Sequence, residues 1–150
     1  MLRDQSDKNF NGTRVHIFQY KGSESPHNPE AIFNYSEQYN MSEGKKVKDV
    51  FKNKKAQNII NFAERMRKTY EAIVLKKYHD PDELISFSSK IDKSLLAKFR
   101  AECSKMPLKP SDKITFYSKD ELRRGITMPD GSKIKIPSPN LFDAAVLSLE

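Results

Sequence analysis

Three observations predict a mixed α/β fold for this chain. Short alternating apolar runs mark strands at Val15–Tyr20, Lys113–Tyr117 and Lys133–Ile136. A long stripe of apolar residues at helical spacing lies between the first two. Capped helix starts and proline- or glycine-containing turns separate the segments, so strands alternate with helices. At 150 residues the chain fits one domain, 1–150, which can bury its own core without staples. A composition of 37% apolar and 31% charged residues excludes a wholly disordered tail. No apolar run nears the roughly 20 residues of a membrane span. Met1–Lys8 holds no apolar stretch of signal-peptide type. The single cysteine, Cys103, excludes an internal disulfide and a cysteine-built zinc site, and fits a reducing compartment. The net charge of +7 favours a polyanionic partner.

Residues 1–13 are expected to be a flexible or fragmentary start, and the first strand ends at Lys21-Gly22. Residues 22–44, rich in Ser and Asn with two prolines, read as loop. Within them a short helix is expected at Pro29–Tyr35, with Asn28 as cap and Pro29 at the first helical position. From Lys45 the pattern turns helical: Ile59, Ala63, Met66, Tyr70 and Ile73 recur at spacings of three and four, widened by Ile60 and Phe62. Asp80-Pro81-Asp82-Glu83 is a second start signal. A third helix is expected from Asp92 to Lys105, with Leu95, Phe99, Cys103 and Met106 on one face. That placement makes Cys103 a small buried hydrophobe, not a reactive thiol. Ser118-Lys119-Asp120-Glu121 has the spacing of a capping box for a short helix through Arg124, and Gly125 stops it. Pro129–Ser132 supplies a turn before the Lys133–Ile136 strand.

The last helix, Leu141–Leu149, carries the sharpest chemical signal. Ser138 can cap it and Pro139 fits its first position. The stretch is apolar almost all round, which predicts a buried helix, and Asp143 is its one ionisable group. A carboxylate in such surroundings must be protonated, paired with a cation or bound to a metal. Two readings stay open on the residues alone. Asp143 is a structural carboxylate, near a helix N-terminus or bonded to a buried Arg or to backbone amides, or it is a metal ligand.

Ile134–Leu149, with Ser138-Pro139-Asn140-Leu141-Phe142-Asp143-Ala144 at its centre, resembles the end of the nuclease domain in the large terminase subunit of tailed bacteriophages. The resemblance extends upstream in order. Lys113–Arg124 is similar to that family's strand, Ser-Lys and basic helix; Asn53-Lys54-Lys55-Ala56 to the opening of its long helix; Val15–Ser23 to the strand and Gly-Ser after its second acidic motif. The resemblance implies a ribonuclease H-like nuclease fold and a two-metal-dependent endodeoxyribonuclease, with Asp143 as a catalytic acid and metal ligand. Two cations activate the attacking water and stabilise the leaving oxygen, and hard Mg²⁺ or Mn²⁺ suits carboxylate oxygens. The implied function is cutting concatemeric viral DNA at packaging. Implied partners are double-stranded DNA, the ATPase part of the large terminase, the small terminase subunit and the portal protein, in the cytoplasm of the bacterial host.

Departures from the family matter too. Its first two acids precede the strand matched by Val15–Tyr20, and Asp4 and Asp7 do not stand in their place. No phosphate-binding loop of the Gly-x-x-x-x-Gly-Lys-Ser/Thr kind occurs, so no ATP site is expected. The chain therefore reads as the C-terminal portion of such a domain, with its N-terminal strands missing, expected to be inactive and marginally stable alone. Lys119, Arg123 and Arg124 form one basic group, and Lys133 and Lys135 alternate toward Asp143; these are the candidate DNA contacts. Lys45, Lys46, Lys48, Lys52, Lys54 and Lys55 crowd another segment and read as DNA contacts or as a solvated face. His16, His27 and His79 show no ligand spacing. The alternative function is a non-catalytic basic DNA-binding or docking module derived from the same fold.

Overall fold

The computed structural model describes residues 9–10, 13–14, 20–33 and 44–148. Along it run β1 (Asn9–Phe10), β2 (Thr13–Arg14), α1 (Val47–Val50), α2 (Lys54–Val74), α3 (Lys93–Cys103), α4 (Lys119–Arg124), β3 (Ile126–Thr127), β4 (Lys133–Ile134) and α5 (Asn140–Leu147). β1 pairs antiparallel with β2, and β3 with β4, each as a two-stranded ribbon. Residues 15–19 of the first expected strand lie outside the described residues, as do His16, Asp4 and Asp7.

The helical signal that begins at Lys45 divides in two, because pairing interrupts it. Phe51, buried and extended at φ −105°, bridges Ile114 in parallel. The Ile114 N–H donates to the Val50 carbonyl at 2.8 Å, and the Lys52 N–H to the Ile114 carbonyl at 3.1 Å. Those bonds draw the chain out of the helix until Asn53 restarts it, its side chain accepting from the Ala56 N–H. Lys113–Tyr117 consequently makes isolated bridges, Ile114 to Phe51 and Phe116 to Leu108, where a continuous strand was expected. The expected helix at Pro29–Tyr35 is also absent from residues 29–33, which form a turn. Asn28 there takes φ +47°, a conformation Asn tolerates, and Ile32 bridges Lys46 instead. Asp80–Glu83 yields a single 3-10 turn, Pro81–Glu83.

Three clusters make the core. Phe33, Val47, Val50, Phe51, Ala56 and Ile60 form the first. Ile59, Phe62, Phe99, Phe142 and Val146 form the second, which locks α2, α3 and α5 together. Leu122, Ile126 and Ile136 form the third, under α4 and the β3–β4 ribbon. Phe116 packs against the first two and Met106 against the last two, which joins the clusters. The helical period of α2 is as expected, but among the described residues only its first half is covered: Met66, Tyr70 and Ile73 are exposed. On α3 only Phe99 is buried, and Leu95 is exposed. α5 buries one face, Phe142 and Val146, while Ala144 and Leu147 meet solvent, so it is not buried all round.

α4 starts and stops as its sequence predicts. The Ser118 hydroxyl accepts from the Glu121 N–H, and the Glu121 carboxylate accepts from the Ser118 N–H. Gly125 ends the helix at φ +98°; a side chain there would press on Lys133, Lys135 and the Ile134 carbonyl. The Lys109 ammonium, followed by the Ser118 amide and hydroxyl, holds the Glu121 carboxyl at about 2, below its ordinary 4.5. Because the folded value is depressed, this stabilisation is complete above about pH 4.5 and is lost as pH falls toward 2. Glu121→Gln is therefore expected to lower the melting temperature near neutral pH, by an amount matching ~1 kcal/mol at most for a partly exposed pair. In melts recorded from pH 7 downward, the gap to the wild type should close below about pH 4.5.

Candidate functional site

Ion pairs bring together the first turns of three helices. Asp143, in the first turn of α5 and only 15% exposed at its side chain, receives Lys119 Nζ on one carboxylate oxygen at 2.9 Å and Lys55 Nζ on the other at 3.3 Å. Lys119 is the first residue of α4 and Lys55 the second of α2. Lys119 Nζ also donates to Asn140 Oδ1 at 3.3 Å.

Each of the three is held by local chemistry. The loop at Gly22–Glu24 closes over the start of α2: the Lys54 N–H donates to the Glu24 carbonyl at 2.8 Å, and the Lys55 N–H to the Gly22 carbonyl at 3.0 Å. Gly22 permits this approach, since a Cβ there would stand 3.0 Å from Lys55 Cβ and 3.1 Å from the Tyr20 ring. The capping box fixes α4 and so the root of Lys119. On α5 the Asp143 N–H donates to the Pro139 carbonyl at 2.9 Å. Ser138 does not cap α5 as expected. Its hydroxyl turns to Asn140 Oδ1, Pro139 takes the cap position, and the carboxylate of Glu102 on α3 receives the free amides.

Of the three fates open to a sequestered carboxylate, Asp143 takes pairing with cations. Its partners are two lysines, where the structural reading named an arginine or amides. Two ammonium groups against one carboxylate leave a surplus positive charge, and both lysine side chains keep partial exposure, 29% and 42%. The site can therefore attract phosphate oxygens. Among the described residues no group of three His, Cys, Asp or Glu could hold a metal ion. One carboxylate and one amide oxygen flanked by two ammonium groups do not fit a divalent ion, which takes about six oxygen ligands or more.

The remaining candidate DNA contacts gather at the far end of α4. Arg123 and Arg124 occupy its last turn, and Lys133 and Lys135 lie against Gly125 just beyond. Arg123 pairs with Asp120, and Arg124, Lys133 and Lys135 are exposed. The lysine crowd before and at the start of α2 disperses. Lys46 and Lys48 both hold Glu30, pulling its carboxyl to about 2, and Lys54 lies over the Tyr20 ring at 5.3 Å. Lys55 reaches Asp143, and nothing in the spacing of that crowd singles it out. Glu102 is likewise invisible in sequence, since the amides it receives lie 39 and 40 residues on. His79 Nε2 lies 2.9 Å from Glu71, a structural contact. Burial, with Glu102 beside it, pushes the Cys103 thiol up, which fits a non-reactive cysteine. No helix among the described residues is long and apolar enough to cross a membrane.

No family model and no curated protein matches the chain. Solved structures do. The nuclease domain of the large terminase subunit gp2 of bacterial virus Sf6 superposes with a TM-score of 0.69 at 34% identity, covering 87% of this chain and 51% of that one. A point variant of that domain, solved with manganese and beta-thujaplicinol, gives 0.75 at 31% identity, covering 94% and 56%. The same variant with calcium gives 0.68 at 32%, covering 87% and 51%. The chain thus spans about half the length of the solved domains it matches.

Proposed function

We propose that this chain, which has the ribonuclease H-like fold of a bacteriophage large terminase nuclease domain over about half of that domain's length, serves a DNA-packaging endonuclease by carrying one of its acids, Asp143. The observation that carries this reading is the seat of Asp143: an acid on an otherwise apolar helix segment, largely withdrawn from water, between lysines from two other helices. The substrate is concatemeric viral double-stranded DNA, cut with two Mg²⁺ or Mn²⁺ ions in the complete centre. Of the neighbours, two were solved with manganese and one with calcium. Among the described residues no group of three potential ligands surrounds Asp143, so the further ligands of that centre come from outside them, and the described residues alone are expected not to cut. The working assembly includes the terminase ATPase part, the small terminase subunit and the portal protein, in the cytoplasm of the bacterial host.

One observation favours the second reading, a non-catalytic basic DNA-binding or docking module. Asp143 already has two cationic partners, so it needs no metal to be satisfied. The nuclease reading and the DNA-binding form of the second both require DNA contact, and that part is directly testable. If Lys119, Arg123 and Arg124 track phosphates, duplex affinity falls with added salt and depends little on sequence. Replacing all three with Ala is expected to flatten the slope of log affinity against log salt by up to about three counterions. Fluorescence anisotropy with a labelled duplex across a salt series measures it. An unchanged slope returns these residues to the solvated surface.

A further inference from the structure

We infer that Glu102 is the positioning residue of the Asp143 site, a deepening that rests on the reading of Asp143 given above. The backbone donors at the start of α5 carry this inference. A helix leaves its first four N–H groups without intrahelical partners. Here Pro139 at the cap position has no N–H and no side-chain oxygen to offer. The Asn140 N–H goes to the Ser138 carbonyl at 2.9 Å. Leu141 and Phe142 remain, and both donate to the same oxygen of Glu102, at 2.8 and 3.0 Å. A carboxylate from α3 thus does what a cap residue does within its own helix, and its charge complements the positive helix end. Leu141 and Phe142 immediately precede Asp143, so the contact that anchors them sets the height and rotation of α5 at the residue facing Lys55 and Lys119. Phe142 against Phe62 holds the same turn of α5 from the side of α2, while Glu102 fixes its amides from α3.

The test uses the full chain and nuclear magnetic resonance. In Glu102→Ala, amide exchange at Leu141 and Phe142 is expected to quicken about tenfold, the size of one lost cap. The Lys119 Nζ resonance should move toward the position it takes in Asp143→Asn, because a displaced Asp143 no longer holds it. A purely structural Glu102 would lower the melting temperature and leave the Lys119 signal in place, which overturns the inference. Should Glu102→Ala fail to fold, Glu102→Gln keeps the shape and a neutral acceptor. A several-fold rise in exchange and a partial shift of Lys119 support the inference there, and no change at either overturns it. Asp143→Asn assayed in parallel for DNA affinity tests the underlying reading separately. If that affinity does not change while Lys119 still responds to Glu102, Glu102 positions Asp143 and the functional reading of Asp143 is what fails.

Discussion

The Asp143→Asn variant is expected to keep its fold, to bind duplex DNA more tightly than the wild type, and to lose metal-dependent cutting in a protein with the complete centre. The fold survives because Asn keeps the shape, and Lys55 and Lys119, at 29% and 42% exposure, can turn toward water. Stranding a buried charge costs about 3–5 kcal/mol, but these ammonium groups are not stranded, and a loss near ~1 kcal/mol is expected. Tighter DNA binding follows from the same arithmetic of charge. Asp143 occupies two ammonium groups as a phosphate would, so neutralising it frees both and steepens the salt dependence by about one to two counterions. Cutting responds in the opposite direction. A carboxylate ligand of a catalytic metal is worth several kcal/mol of transition-state stabilisation, about a thousandfold in rate or more. Plasmid cleavage, duplex anisotropy and a melting curve on wild type and variant measure the three quantities. A variant that cuts normally would make Asp143 a structural carboxylate. A variant that binds DNA no better would mean that its two lysines do not face the nucleic acid.

Local signals in this sequence transferred to the structure where the deciding chemistry lies within one turn. The box from Ser118 to Glu121, the stop at Gly125 and the turn at Pro129–Ser132 each rest on neighbours two to four residues apart. Where a distant partner decides, local pattern failed. Phe51 leaves a helical stretch to pair with Ile114, and residues 29–33 become a turn because Ile32 pairs with Lys46. Ser138, a fitting cap by type and position, loses that role to Glu102 from another helix. The site shows the same division. Asp143 was legible as an acid in need of a partner, since its own apolar neighbours state the problem. The identity of that partner was not, because Lys55 is one lysine among six in its stretch and only the approach of α2 to α5 selects it. The apolar period of α5 likewise predicts burial but cannot say how many faces find cover, and only Phe142 and Val146 do.

That approach of α2 to α5 runs through Phe62, and Phe62→Ala is expected to be strongly disruptive. Phe62 is buried and lies edge-to-face with two rings, Phe142 on α5 at 5.9 Å and Phe99 on α3 at 6.1 Å. Removing a buried phenyl ring costs about 3–5 kcal/mol through lost transfer energy and the cavity left behind. Each aromatic pair adds about 0.5–1.5 kcal/mol beyond its area. A domain of this size holds roughly 5–15 kcal/mol in all, so the loss is comparable to the lower end of total stability. The consequence reaches function through geometry. Lys55 and Asp143 stand on the two helices that Phe62 ties together, so their pairing should fail even where the variant stays partly folded. Phe87→Ala serves as the control, because Phe87 touches the same cluster through Phe99 but is 40% exposed and lies outside α2 and α5. It should cost about 1 kcal/mol and leave the ion pair in place. Chemical denaturation of both variants, read alongside the Lys55 ammonium resonance, separates the outcomes. Equal losses in the two variants would show that the ring cluster stabilises the chain evenly and does not hold the site through Phe62.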